Sequence, residues 1–207
     1  SGVISAIGTV MLPKVSRMTR MKQMDAVKRH IRLSMELVMC MVCAMAFGLA
    51  AVAVNFAPLF YGDDFAYSGT LMMPLSFTLL SIGFANVIRT QWVLPQGRDT
   101  IFVHSVLTGA VINLIANFVL IPPFGAMGAA AATVLAEFSV PAVQFVYLRK
   151  ELPYAQYLKT TGVYCLFGLV MAGVVALLGY VLPLHGWGKL AVQVIGGAAV
   201  YGALCLT

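Results

Sequence analysis

Side chains that could bind a ligand recur at helical spacing inside two very apolar stretches of this sequence. In the stretch 104–121 the series is Ser105, Gly109, Asn113 and Asn117. In the stretch 125–148 it is Ala129, Thr133, Glu137 and Pro141, with Gln144 three residues further on. Residues four apart lie on one face of an α-helix. Each stretch is therefore predicted to be a helix with one small-and-polar stripe and otherwise apolar faces.

Glu137 is the acid whose position calls for an explanation. It lies near the middle of its stretch, where a charged carboxylate costs about 2.5–3.5 kcal/mol in a bilayer, so it should face protein or water. Pro141 lacks an N–H and leaves the carbonyl of Glu137 without its helical donor, which predicts a kink there. Two interpretations stay open. One is a proton, cation or sugar-hydroxyl site facing a central cavity; the other is a structural carboxyl hydrogen-bonded to a neighbouring helix.

A third apolar stretch, 67–94, carries Asn86 on its more polar face, with Arg89 beside it. Arg89 is about five residues from the predicted helix end, or roughly 8 Å by helical rise. Its side chain could extend to the membrane surface without any function. If it turns inward, it offers a planar fork suited to a phosphate or a carboxylated sugar. Asn113 and Asn117 have two interpretations as well, hydrogen bonds between helices or ligand contacts.

The composition of the chain excludes a soluble globular protein. Of 207 residues, 61% are hydrophobic and 10% charged, whereas a soluble domain carries about 25% charged residues. The predicted fold class is all-α integral membrane, a polytopic helical bundle with about six spans. Pro122-Pro123 are predicted to end one span and Pro74 to interrupt another. The predicted spans are about 33–57, 67–94, 100–121, 126–148, 160–182 and 190 onward, after the tail of a span in 1–12.

The positions of the cations predict the orientation. Loops 14–32, 89–99 and 149–159 hold twelve of the thirteen Lys and Arg residues, and the alternate loops hold only Lys189. Positive residues near span ends stay in the cytoplasm, so these three loops are predicted to be cytoplasmic. The expected location is the inner (plasma) membrane, with several spans. Topology and attraction to the anionic inner leaflet explain the net charge of +6, so nucleic acid is not an expected partner.

The sequence offers no set of residues for covalent chemistry. It has no Ser/His/Asp arrangement, no metal-spaced His and carboxylate cluster and no Gly-rich phosphate loop between a strand and a helix. Cys40 and Cys43 form a C-x-x-C without a second pair or a neighbouring His, and are interpreted as small buried apolar side chains. We therefore do not expect an enzyme or a metal site.

Three segments carry a family resemblance. They are GAVINLIANFVLIPPFGAMGAAAATVLAE at 109–137, LPKVS at 12–16 and APLFYG at 57–62, in which Tyr61 stands between the usual Phe and Gly. Together they resemble the C-terminal half of oligosaccharide flippases, the polysaccharide-transporter branch of the multidrug/oligosaccharidyl-lipid/polysaccharide superfamily. The resemblance covers about residues 3–150.

The resemblance implies a fold of two six-helix bundles plus two terminal helices. Residues 1–150 would be the C-terminal bundle, like that of MATE and flippase transporters, and 151–207 two additional transmembrane helices. We therefore expect this chain to be a piece of a longer protein whose missing N-terminal bundle is a partner. Such proteins are thought to flip undecaprenyl-diphosphate-linked oligosaccharide from the inner to the outer leaflet by alternating access, for cell-surface polysaccharide biosynthesis.

Together with this resemblance, the polar residues suggest a substrate site and leave alternative functions open. Expected at the cavity are Arg89, Asn86, Asn113, Asn117 and Glu137, and expected at its cytoplasmic mouth, near the diphosphate, are Lys14 and Arg17. The expected ligands are a lipid-linked oligosaccharide and membrane lipid. No cofactor is expected, although coupling to Na⁺ or H⁺ occurs in the superfamily. The alternatives are a MATE-type drug/cation antiporter and a non-flipping membrane enzyme or scaffold subunit of polysaccharide assembly.

Overall fold

The computed structural model describes residues 17–18, 21, 23–181 and 186–206 of the chain. All regular structure in these residues is helical. The principal helices are α1 (Met24–Tyr61), α2 (Ala66–Ser76), α3 (Thr78–Ile88), α4 (Asp99–Leu148), α5 (Tyr154–Val181) and α6 (Gly186–Cys205). Five helical segments of the described chain are long and apolar enough to cross a membrane, with α2 and α3 forming one of them, Asp63–Gln96.

Helix α1 is the centre of the bundle. It packs against α2, α3, α5 and α6, and a row of its side chains, including Ile31, Met35 and Met39, is fully buried. The helix begins beyond Gln23 and ends at Gly62, whose φ of 96° an L side chain rarely adopts. We call this end, which also carries Asp63 and Asp64, the acidic end of the bundle.

The second span is divided as Pro74 predicts. Helix α2 ends at Ser76 and α3 begins at Thr78, and the hydroxyls of Ser76 and Thr78 donate to backbone carbonyls three residues earlier. After α3 the chain widens into a π-helical turn, Arg89–Val93, and stops at Gly97, where φ is 67°. We call this end of the bundle, which carries the connections at 94–98 and 149–153, the basic end.

Helix α4 is a hairpin of two antiparallel arms, residues 99–124 and 126–148. The backbone reverses at Gly125, where φ is 56° and ψ is −131°. A Cβ on Gly128 would lie 2.1 Å from the carbonyl oxygen of Leu120, and one on Gly109 would lie 3.3 Å from that of Ala136. The approach at Gly128 requires glycine, because any larger residue would hold the arms apart, and the approach at Gly109 is tight enough to favour glycine. The predicted hairpin is therefore present, and with α4 divided into two arms the described residues hold six segments that could each cross a membrane.

Several helix boundaries differ from the sequence prediction. The chain reverses at Gly125 and not at Pro122-Pro123, because proline tolerates helical φ while the reversal needs a positive φ. The predicted loops 14–32 and 149–159 are also shorter, since α1 already begins at Met24 and α5 at Tyr154. Charged residues are compatible with a helix that continues past the membrane boundary, so the cations of these segments do not mark where a helix ends.

Helices α5 and α6 pack against α1 and against each other. The Tyr201 hydroxyl donates to the carbonyl oxygen of Cys40 at 2.7 Å. The four cysteines lie in two pairs across helices, with sulfur–sulfur distances of 3.7 Å for Cys40 and Cys205 and 3.8 Å for Cys43 and Cys165. These contacts attach the two terminal helices to the central one.

Candidate functional site

A cavity of about 580 Å³ lies between α3 and the two arms of α4. The stripes that the sequence predicted form much of its wall. The polar or charged lining side chains are Asn86, Arg89, Asn113, Thr133, Glu137 and Gln144, and the apolar ones include Ile82, Phe102, Val106 and Val140. A polar cavity between apolar membrane-spanning helices is a site for a polar group that would not enter the bilayer alone.

Arg89 faces this cavity. It follows the last turn of α3 and opens the π-helical turn, a distortion that often marks functional sites. Its Nη2 donates to Oδ1 of Asn86 at 2.9 Å, and its Cζ lies 4.8 Å from the ring centroid of Phe102. The buried Nε has no hydrogen-bond partner among the described residues. A guanidinium stacked on a ring and tied at one nitrogen has a fixed plane and donors left for an anion.

Glu137 lines the cavity from the second arm of α4. The arm stays helical through Pro141, although proline removes the donor that would reach the carbonyl of Glu137. The hydroxyl of Ser81 on α3 donates to that carbonyl instead. This bond satisfies the backbone group and joins α3 to the arm beside the acid.

Asn113 and Asn117 are adjacent on the first arm of α4, and Nδ2 of Asn117 donates to Oδ1 of Asn113 at 2.9 Å. Asn113 lines the cavity and Asn117 does not. On the facing arm, the hydroxyl of Thr133 donates to the carbonyl oxygen of Ala129 at 3.0 Å. Asn117 therefore positions the amide of Asn113 from the next turn.

The cavity wall changes in character along the helix axes. Arg89, Phe102 and Gln144 lie toward the basic end, and Asn113 and Thr133 lie toward the acidic end. Eleven residues of helix separate Phe102 from Asn113, which is about 16 Å by helical rise. One end of the cavity thus offers a cation and the other offers neutral amide and hydroxyl groups, with the carboxyl of Glu137 between them.

Several wall residues, among them Thr133, Gln144 and Phe102, are not among the site residues that the sequence predicts. Gln144 continues the stripe of Glu137, is 1% exposed, and its Oε1 has no partner in the described part of the chain. Its position in the stripe was the available signal. Phe102 forms the ring beneath Arg89, and an aromatic residue in an apolar helix gives no sequence signal for such a contact.

Of the two cations predicted at the mouth, the structure describes only Arg17. Lys14 lies outside the residues that the structure describes. Arg17 is described and exposed, and it is not one of the side chains that line the cavity. Within the described ranges, no three His, Cys, Asp or Glu side chains come together to hold a metal ion.

Three comparisons with known proteins each match a flippase or a transporter. A family model described as lipid II flippase MurJ matches residues 2–195. A Shigella dysenteriae protein, described as a candidate O-antigen transporter, is 23% identical over 127 residues, which are 61% of this chain and 31% of that protein. A solved structure of the lipid II flippase MurJ in an inward closed conformation superposes with a TM-score of 0.78 at 17% identity.

The matches cover most of this chain but less than half of each relative. The superposition includes 96% of this chain but 41% of the solved one, and the Shigella relative is matched over 31% of its length. The matches therefore span 31% to 41% of the length of these relatives. At 17% identity the superposition shows a shared fold, that of a helical membrane transporter.

Proposed function

Because this chain belongs to the lipid II flippase MurJ family, we propose that it is the C-terminal part of a transporter that flips a lipid-linked oligosaccharide across the membrane. Residues 1–150 would form one bundle and 151–207 two further helices. The partner would be an N-terminal bundle of the same protein, since the chain spans 41% of the solved relative. The two bundles would expose the cavity to each side of the membrane in turn.

One observation carries this proposal, the polar cavity between α3 and the arms of α4. In our proposal Arg89 binds the diphosphate, because its stacked guanidinium has donors to spare. Asn113, Glu137 and Asn86 hydrogen-bond sugar hydroxyls, and Asn117 orients Asn113. The lipid tail stays in the bilayer. Lys14 and Arg17 would meet the diphosphate before it enters the cavity.

We also propose that the three basic loops face the cytoplasm and that the membrane is the inner (plasma) membrane. Transport must then be driven outward. Coupling to Na⁺ or H⁺ would use Glu137, whose carboxyl lies between the cationic and the amide part of the cavity. A cation or proton there would offset the charge of the acid while the substrate is absent.

The alternatives have less support. The family model that matches residues 2–195 is that of a lipid II flippase, which does not favour a MATE-type drug/cation antiporter. A cationic drug also calls for acids in the cavity, and Glu137 is the one acid on the described wall, which also carries Arg89. Membership of a transporter family likewise favours transport over a membrane enzyme or a scaffold subunit of polysaccharide assembly.

The proposal is tested in cells that depend on the full-length parent gene. Arg89→Ala or Glu137→Gln replaces the wild type, and the leaflet that holds the lipid-linked oligosaccharide is measured at matched protein levels. We expect accumulation in the inner leaflet, with outward delivery reduced about tenfold or more, which corresponds to at least about 1.4 kcal/mol of lost binding.

The matched controls are Arg29→Ala and Glu36→Gln, which remove an exposed cation and one partner of the Arg32–Glu36 surface pair. Surface pairs contribute about 0–1 kcal/mol, so both should deliver normally. Normal delivery with both cavity substitutions would make Arg89 and Glu137 structural. An unchanged leaflet distribution after deletion of the whole gene would disprove flipping.

A further inference from the structure

A second cavity, which we call the apolar cleft, lies between α3, the second arm of α4 and α5. Its volume is about 390 Å³, within the range of sites that hold small molecules. Almost all of its wall is hydrocarbon. The lining side chains are Leu80, Ser81, Phe84, Phe138, Pro141, Ala142, Phe145, Tyr154, Leu158, Thr161 and Cys165.

The apolar cleft is separate from the polar cavity. The two lie on opposite sides of a wall made of α3 and the second arm of α4, which are joined by the bond from Ser81 to the carbonyl of Glu137. Arm residues 137, 140 and 144 face the cavity, and 138, 141, 142 and 145 face the cleft. A substrate whose head group fills the cavity would have to bend its tail around the end of this wall to reach the cleft.

The cleft has the length of one acyl chain. It extends along α5 from Tyr154 at the basic end to Cys165, eleven residues or about 16 Å by helical rise. The hydrocarbon core of a bilayer is about 30 Å thick, so the cleft spans about one leaflet. Its apolar wall suits a hydrocarbon chain, whose contact with it replaces contact with neighbouring lipids.

One buried polar group lines the cleft without a partner. Tyr154 is 4% exposed, and its hydroxyl makes no hydrogen bond with any described residue. Its ring is held edge-on by Phe145, with ring centroids 5.0 Å apart. An unpaired buried hydroxyl is unfavourable, and a lipid ester or phosphate oxygen at the basic end would accept a hydrogen bond from it.

The charges around this end favour an anion. Arg149, Lys150 and Lys159 are exposed next to the first turns of α5. The acid in this connection, Glu151, is already bound by Nη1 of Arg98 at 2.6 Å and by Nε1 of Trp92 at 3.1 Å. Clusters of cations beside membrane-spanning helices attract anionic lipid head groups.

We propose that the apolar cleft binds a phospholipid with an anionic head group from the leaflet at the basic end. One acyl chain lies between α5 and the second arm of α4. An oxygen of the head-group region accepts the hydrogen bond of Tyr154, and Arg149, Lys150 and Lys159 surround the phosphate. The bound lipid supports the wall of the polar cavity from its outer side.

The test uses the purified full-length parent protein, stripped of lipid in detergent. Phosphatidylglycerol or phosphatidylcholine with the same acyl chains is added. The midpoint of thermal unfolding and the number of lipids retained in native mass spectrometry are then measured. We expect phosphatidylglycerol to raise the midpoint with saturation and to leave one retained lipid, and phosphatidylcholine to do so only at much higher concentration.

Three variants test where the lipid binds. Ala142→Trp fills the cleft and should abolish the shift and the retained lipid, whereas Ala176→Trp, the same change at an exposed position of α5 outside the cleft, should keep both. Tyr154→Phe preserves the apolar packing and should raise the half-saturating concentration about fivefold, the fold-change of one hydrogen bond of about 1 kcal/mol.

Three results would overturn the proposal. The first is an equal shift with phosphatidylcholine, which would mean unselective lipid around the protein. The second is an unchanged response in Ala142→Trp or, if that variant does not fold, in Tyr154→Phe. The third is displacement of phosphatidylglycerol by a polyprenyl phosphate, which would make the cleft a site for the tail of a transported lipid. No outcome depends on flipping, so the transport proposal is tested separately.

Discussion

At the level of single residues, replacing the planar guanidinium of Arg89 tests whether the proposed anion site needs a specific geometry or only a positive charge. Arg89→Lys keeps the charge but loses the stacking on Phe102 and the bond to Asn86 through Nη2. Charged hydrogen bonds are worth about 1.5–3 kcal/mol. We therefore expect the rate of flipping by the full-length protein in proteoliposomes to fall about tenfold, measured with a fluorescent lipid-linked oligosaccharide and a membrane-impermeant quencher.

Arg98→Lys is the matched control for this prediction. Arg98 bonds Glu151 in a half-exposed pair at the basic end, away from the cavity, and a lysine there can still pair with the acid. Its rate should stay within about twofold of wild type. Flipping at the wild-type rate by Arg89→Lys would show that a point charge is sufficient and that the fork geometry has no role.

Helical spacing alone placed four of the six polar residues of the cavity wall on the two predicted stripes. The four-residue steps placed Asn113 and Glu137 on inward stripes, and the structure brings both into one cavity with Asn86 and Arg89. The direction of Arg89 could not be predicted, because a long side chain near a span end can reach either the surface or the interior. Phe102 beneath it decides the direction, and this contact exists only after α3 and α4 have packed.

At the level of the helices, the bond between Ser81 and the Glu137 carbonyl should be coupled to Pro141. Ser81→Ala leaves that carbonyl without a donor and should lower the free energy of unfolding by about 1 kcal/mol. In the Pro141→Ala background the N–H of residue 141 can donate to the carbonyl of Glu137. Ser81→Ala should then lower the free energy of unfolding by much less. Denaturant unfolding of the four full-length proteins in detergent gives the coupling energy.

A matched control is Ser139→Ala on the same arm, whose hydroxyl donates to the carbonyl of Ala136 within its own helix. Ser139→Ala should lower the free energy of unfolding by the same amount with proline or alanine at position 141, because residue 141 does not take part in the bond to Ala136. An equal cost of Ser81→Ala with and without Pro141 would mean that the serine stabilises the wall by packing alone.

The existence of the helices was predictable, and their ends were less so. Apolar runs of about 20 residues identified the spans, and Pro74 identified the division of the second one. The reversal at Gly125 was assigned to the neighbouring prolines, because sequence shows where donors are missing but not where a positive φ is needed. The basic starts of α1 and α5 were assigned to loops, because charge predicts the membrane boundary and not the end of a helix.

At the level of the whole molecule, the packing order was not predictable. Every span is apolar on most sides, so composition does not distinguish the central helix from the peripheral ones. The structure shows α1 at the centre, buried by α2, α3, α5 and α6, while the α4 hairpin contacts the remainder of the bundle through α2 and α3. The outer arm surfaces remain exposed and apolar, with Leu107, Leu114 and Phe118 among them.

The number of crossings and their direction give the last prediction, because both follow from the hairpin and the basic loops together. Asp64→Cys, Phe124→Cys and Lys150→Cys are introduced singly into the full-length protein and exposed to a membrane-impermeant thiol reagent. If α4 crosses twice, Asp64→Cys and Phe124→Cys react in intact cells and Lys150→Cys only after permeabilisation. The protein without an added cysteine gives the background from native thiols.

Reaction of Lys150→Cys together with Asp64→Cys in intact cells would mean that α4 crosses once. Reaction of Lys150→Cys alone would keep the hairpin but reverse the orientation, and the direction of transport proposed above would reverse with it.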